Sequence, residues 1–340
     1  VAVAGDLVLV GNTNHDSAKL EFGPGSVVVM SEATGDVLNT VPTSARNPQD
    51  LAVWGDRVLV LCTGATRFLP GETLNVALED GALDELPLEG LDKAQAPWRS
   101  LPLPRAVGDD TVGGMLSVAV VAEGRYAFLG SGLSPVLYKV DLQAWELVRG
   151  PNNPLRLHDD VPGNDTVVLA PHPSGELLAA SFNTGRLYRI DPFTDEQLGP
   201  PVKLAGTGDL EGPVDLVVMP GRVPDVFALL ALANAVSAWD SAQPELAADA
   251  RFAGTDAVGN ALVGAWPHLF VVSSGANHIQ RINVATGEST RPYVALPVGS
   301  NPFAMALSPE GAPRAWVTLL LWDGVAVVNL DTGLVERIVR

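Results

Sequence analysis

The sequence predicts an all-β fold, a seven-bladed β-propeller of four-stranded antiparallel blades, and three observations carry that prediction. A ten-residue phrase stands twice in the chain, as Val1 to Val10 (VAVAGDLVLV) and Leu51 to Val60 (LAVWGDRVLV), with weaker echoes as far as the C-terminus. Self-similarity at a period of about 40 to 50 residues, built from short β-rich units, marks a propeller rather than a two-layer domain. The turn-forming residues, 34 Gly and 27 Pro, are spread along all 340 residues, as frequent turns between short strands require.

The last repeat is the most regular. Asn301-Pro302 leads into a strand from Phe303 to Leu307 and a turn at Ser308 to Gly311. Strands Arg314 to Leu320, Gly324 to Leu330 and Leu334 to Val339 complete the blade, the last pair turned by Asp331-Thr332-Gly333. The residue that begins the turn between third and fourth strands gives one anchor per blade: Ser31, Ala77, Asp141, Asp191, Asp240, Asn283 and Asn329. The expected blades are 1–43, 44–90, 91–152, 153–206, 207–257, 258–299 and 300–340, within one domain over 1–340. The longest interval, Ala77 to Asp141, places an insertion near Leu91 to Thr111, where Pro97, Pro102 and Pro104 argue for an irregular loop. The last blade owns its fourth strand and the first begins at its innermost one. Blades seven and one are therefore expected to pack end to face, without exchanging strands.

Composition excludes several classes. Hydrophobic residues at 47% against 18% charged argue against disorder. A net charge of -18 with no Lys/Arg cluster argues against nucleic acid or anionic lipid as a partner. Cys62 is alone, which rules out an internal disulfide, and it ends an apolar run where a buried thiol is expected. No apolar run is long enough for a transmembrane helix. Val1 falls inside the first strand of a repeat, so an upstream leader is expected, and with it export to the periplasm, cell surface or medium. A lipid anchor upstream of Val1 is compatible with that.

Phe270 to Asn277 (FVVSSGAN), followed by Ile279 to Asn283 and Thr286-Gly287, resembles the YVTN repeat of YncE-like and surface-layer propellers. Val298 to Pro302 and Arg46-Asn47-Pro48 resemble that family's junction between blades. The likeness covers nearly the whole chain in rhythm, and blades one, two, four, six and seven in motif. Blades three and five depart, with Leu129 to Gly132 and Leu230 to Asn234 in place of the repeat's second strand. The resemblance implies an architecture; relatives by fold include lactone hydrolases, quinoprotein subunits and noncatalytic surface proteins.

In such a ring the loops joining second to third strands, and fourth strands to the next blade, gather on one face around the channel. Three long insertions, Asn12 to Gly25, Trp98 to Thr111 and Gly150 to Asp165, are expected there. His15, Asp16, His158, Asp159, Asp160 and His278 form the expected binding face. In one reading His15, His158, Asp159 and His278 converge on a divalent metal, Ca²⁺ or a transition metal; in the other they are solvated loop residues of an acidic protein. The stretch Asp159, Asp160, Asn164 and Asp165 is rich in oxygen but lacks the spacing of an EF-hand loop. His172 and His268 fall in turns on the opposite face and read as structural. Asp191, Asp240 and Asn329 read as turn formers, and Trp54, Trp239, Trp316 and Trp322 as packing between blades.

No nucleophile elbow, Walker loop, dinucleotide fingerprint, zincin helix or haem-attachment site occurs. The first expectation is a noncatalytic, exported propeller presenting its loop-rich face to a protein, glycan or envelope partner. The alternative is a lactonase-like or metal-dependent hydrolase with its site at the channel mouth.

Overall fold

The repeated ten-residue phrase folds as the first hairpin of a blade. In both copies a two-residue Gly-Asp turn joins strands paired at Ala4 with Leu7 and at Trp54 with Arg57. Gly5 and Gly55 take φ values of 60° and 58°. Glycine enters that left-handed region without steric cost, and the turn it allows matches the twist of the flanking strands.

The computed structural model describes the chain except residues 17, 18, 20, 69–74, 160–163, 205–211, 246 and 309–313. Seven antiparallel four-stranded blades form the ring. Blade one takes Ala2–Ala4, Leu7–Asn12, Ser26–Ser31 and Val37–Pro42, and blade two takes Pro48–Trp54, Arg57–Cys62, Gly81–Pro87 and Arg99–Leu103. Blade three is Met115–Val121, Tyr126–Ser131, Val136–Asp141 and Glu146–Arg149, with a short strand Leu155–Arg156 on its third. Blade four is Val167–Pro171, Leu177–Ser181, Arg186–Ile190 and Val202–Lys203. Blade five is Pro213–Val218, Val226–Leu230, Ala235–Trp239 and Asp249–Gly254. Blades six and seven run Gly259–Ala265, His268–Ser273, His278–Asn283, Ser289–Ala295 and Pro302–Leu307, Arg314–Leu319, Gly324–Asn329, Leu334–Val339.

The middle strands are continuous apolar runs because neighbouring blades cover both of their faces. Val226–Leu230 and Ala235–Trp239 are buried at every position. Outer fourth strands meet water on one side, and Glu146–Arg149 alternates accordingly. The turn anchors hold by side-chain acceptors: Asp141, Asp191, Asn283 and Asn329 each accept two backbone N–H groups from the residues two and three ahead.

Ring closure uses packing and a hydrogen-bond relay. Val8 and Met30 of blade one share a core with Trp316, Val325 and Val327 of blade seven. Trp316 Nε1 donates to Ser308 Oγ at 3.3 Å, and Ser308 Oγ donates to Glu32 Oε1 at 2.6 Å across the seam. Both sheets draw all four strands from their own stretch of chain, as expected.

Blade two corrects the reading of the sequence. Ala77 lies not at the end of a third strand but in an inserted hairpin, Thr66–Phe68 with Asn75–Ala77. The third strand is Gly81–Pro87, and Arg99–Leu103 is the fourth strand of blade two, not a loop of blade three. The boundary expected at residues 90 and 91 therefore falls inside blade two. Trp98, expected on the loop-rich face, immediately precedes that fourth strand on the opposite face. Gly81–Pro87 escaped notice because Asp84 and Glu85 interrupt its apolar pattern. Both are buried, Asp84 accepting from Ser44 and Ser100, Glu85 from Arg57 and Arg99.

Cys62 is fully buried. Burial first, and then the charge of Asp84, pushes its thiol up to about 12. The expected result is no labelling by a maleimide at pH 8 in the folded protein and complete labelling in denaturant, read by mass spectrometry.

Candidate functional site

Hydroxyls at the ends of second strands recur on the loop-rich face. Thr63 Oγ1 donates to the Met115 carbonyl of the next blade at 2.7 Å, and Ser131 Oγ to the Gly113 carbonyl at 2.8 Å. Ser181 takes this place in blade four, and there it meets His158. His158 Nε2 stands 2.9 Å from both Asp165 Oδ2 and Ser181 Oγ, while the Ser181 hydroxyl donates to Asp165 Oδ2 at 2.7 Å. The carboxylate only accepts, so the network assigns the proton to Nε2. Asp165 Oδ1 accepts from the Asn183 N–H at 2.9 Å. The group ties the segment before blade four to that blade's second strand. His158→Ala is expected to cost about 2 kcal/mol, since it leaves a buried carboxylate short of a donor; urea unfolding followed by fluorescence reads it.

The other candidates stand apart. His278 opens the third strand of blade six, with Nε2 2.9 Å from Asp256 Oδ2 but out of line for a hydrogen bond. His15 and Asp16 lie in a small hairpin with Glu21–Phe22; the His15 ring packs 4.8 Å from Phe22, and Asp16 pairs with Lys19 at 2.9 Å. Asp159 is exposed and faces Arg156 at 3.5 Å, while Asp160 lies outside the described residues. Among the described residues no three His, Cys, Asp or Glu side chains converge as metal ligands would. On the opposite face His172 bonds Ser174 Oγ at 2.7 Å and Asp225 Oδ2 at 3.2 Å, joining blades four and five. His268 lines an open hollow of about 490 Å³ on blade six, where burial and then Arg281 hold its imidazole below the ordinary range.

Two carboxylates line the channel. Asp50 and Asp215 sit at matching bulges in the first strands of blades two and five. Asp50 accepts from the Leu51 N–H at 2.8 Å and from the Val118 N–H of blade three at 2.8 Å. Asp215 accepts from the Leu216 N–H at 2.8 Å and from the Leu262 N–H of blade six at 2.7 Å. Innermost strands have an open edge, and each carboxylate supplies an acceptor to the edge of the following blade. Burial pushes both carboxyls up, and the charge of Asp50 adds to the effect at Asp215, which reaches about 7.

The loop-rich face also exposes apolar side chains along blades five to seven. Leu232, Val258, Val298, Phe303, Leu320 and Leu321 are each at least 46% exposed. Val258 holds a φ of 58°, a region that β-branched residues rarely enter, and its carbonyl accepts from the Ser274 N–H at 3.0 Å. Strain of this kind collects at ligand clamps and switch regions.

No family model and no curated protein matches the chain. Solved structures do. A periplasmic gluconolactonase of Pseudomonas aeruginosa is 18% identical, with a TM-score of 0.67 over 98% of this chain and 94% of that one. A functionally unknown protein from Desulfotomaculum acetoxidans is 15% identical, with a TM-score of 0.64 over 99% and 95% of the two chains. An inactive virginiamycin B lyase from Staphylococcus aureus, solved with quinupristin, is 11% identical, with a TM-score of 0.61 over 98% and 86%. At such identities the likeness is one of fold, and the fold hosts unrelated activities.

Reasoning from sequence passed over the channel carboxylates. Their signal was present: Pro48-Gln49-Asp50-Leu51 and Pro213-Val214-Asp215-Leu216 are the same Pro-x-Asp-Leu phrase at the same point in two blades. The apolar tips left no such phrase, because they come one or two at a time from separate loops and one strand start of three blades.

Proposed function

We propose that the chain is a noncatalytic, exported propeller that docks a partner protein on the loop-rich face of blades five to seven. The observation that carries this reading is the run of apolar tips from Leu232 to Leu321, one of them strained. Aliphatic side chains and one Phe suit the desolvated centre of a protein interface, while a net charge of -18 suits a basic partner. His15, Asp16, His158, Asp159 and His278 then serve as loop and inter-blade residues rather than as a metal centre. The periplasmic gluconolactonase of the same fold supports export.

The test is a photo-crosslinking residue placed in turn at positions 298 and 321, and at 193 and 223 on the opposite face, in the organism that makes the protein. The expected result is one discrete adduct from the first pair alone. Equal labelling from both faces would sink the reading.

One observation favours a second reading, hydrolysis of a lactone or ester in the channel: burial, with the charge of Asp50 adding to it, pushes the Asp215 carboxyl up to about 7, the range of a general base. Turnover of an aldonolactone by the native protein, lost in Asp215→Asn, would establish it. No turnover across a lactone and aryl-ester panel would remove it.

A further inference from the structure

Three of the seven tryptophans gather at one place on the face opposite the loop-rich one, together with two arginines of a chain whose net charge is -18. Trp54 ends the first strand of blade two, Trp98 precedes its fourth, and Trp145 precedes the fourth strand of blade three. Arg57 lies 4.9 Å from the Trp98 ring centre and 6.0 Å from that of Trp54. Arg99 lies 5.1 Å from Trp98 and 4.1 Å from Trp145.

Glu85, fully buried, fixes both guanidinium groups from below. Its Oε1 accepts from Arg57 at 2.6 Å and its Oε2 accepts two N–H groups of Arg99 at 2.7 and 3.1 Å. Gly124 of blade three forms the floor, since a Cβ there would lie 2.0 Å from the Trp54 ring. The result is an open cleft of about 370 Å³ between blades two and three, within the range of small-ligand sites.

We propose that this cleft binds an acidic saccharide, a hexuronate unit within an oligosaccharide. The site is separate from the docking face and does not depend on it. Two guanidinium groups share one buried carboxylate, which leaves a single positive charge, the match for a sugar carboxylate rather than a phosphate dianion. Asp56, 3.5 Å from Arg57, is 89% exposed, and so exposed a pair is worth little, which lets an incoming carboxylate displace it. Each guanidinium has five donors in a planar fork, and Glu85 holds the forks in place with donors to spare. The indoles provide flat apolar surface for the C–H face of a pyranose ring, and Trp98, 59% exposed, is an open platform at the cleft.

The probe is tri-galacturonate, with maltotriose as its neutral counterpart, titrated against tryptophan fluorescence. Trp98→Ala keeps the fold because that side chain is exposed, and Arg57→Gln keeps Arg99 on Glu85; thermal midpoints check both. The expected result is saturable quenching by tri-galacturonate, about 10-fold weaker in each variant, and none by maltotriose. The proposal is overturned by no saturable change up to about 10 mM, by unaltered affinity in Trp98→Ala, or by maltotriose binding as tightly.

Discussion

Trp316→Ala is expected to lower the unfolding free energy by about 4 kcal/mol, the cost of emptying a core site of this size. Trp316 is fully buried and belongs to the cluster shared by blades seven and one. Its removal also ends the relay through Ser308 to Glu32, a polar link across the seam. A ring without strand exchange closes only through such contacts, so the loss falls on the whole structure rather than on one blade. Urea unfolding measures the effect. Glu32→Ala, which breaks the relay alone, is expected to cost about 1 kcal/mol. A Trp316→Ala protein as stable as the native one would mean that closure rests elsewhere.

The second large effect is a dependence on pH. Asp215 rises from the ordinary 3.8 to about 7 in the folded chain. Between those values the unfolded chain has lost this proton and the folded chain still holds it, so stability falls as pH rises through the window. Below it both states are protonated, and above it the full penalty of an ionised carboxylate stands. A rise from 3.8 to about 7 corresponds to about 4 kcal/mol, a ceiling because Asp215 is only partly buried. Asp215→Asn lacks this titration. The stability advantage of the native protein over the variant is therefore expected to shrink between pH 4 and pH 8, measured as paired urea curves. Parallel pH profiles would show that Asp215 ionises as an ordinary surface acid.

The ring was legible in the sequence because each blade repeats the same local solutions: the Gly-Asp hairpin at Gly5 and Gly55, and the Asx turns at Asp141, Asp191, Asn283 and Asn329. These act over two or three residues, where composition is decisive. Blade two was misread where long-range pairing overrides the local pattern. Glu85 sits in a buried strand only because Arg57 and Arg99 arrive from the two neighbouring strands. The histidines were found but not their partners, since Asp165 and Ser181 close on His158 from separate elements. Trp98 and Trp145 come together only when blades two and three pack, and no spacing in the chain marks that meeting.

Docking at the apolar tips of blades five to seven requires their side chains to carry the affinity for the partner. The most direct test is the affinity of the cross-linked partner for the native protein and for the Leu232→Glu, Val298→Glu, Leu321→Glu variant, with thermal midpoints measured alongside. Three exposed positions leave the fold intact, and three lost apolar contacts, each worth about 1 kcal/mol or more, weaken binding about 100-fold or beyond. An unchanged dissociation constant in a variant with an unchanged midpoint would contradict the account and move the search to another face.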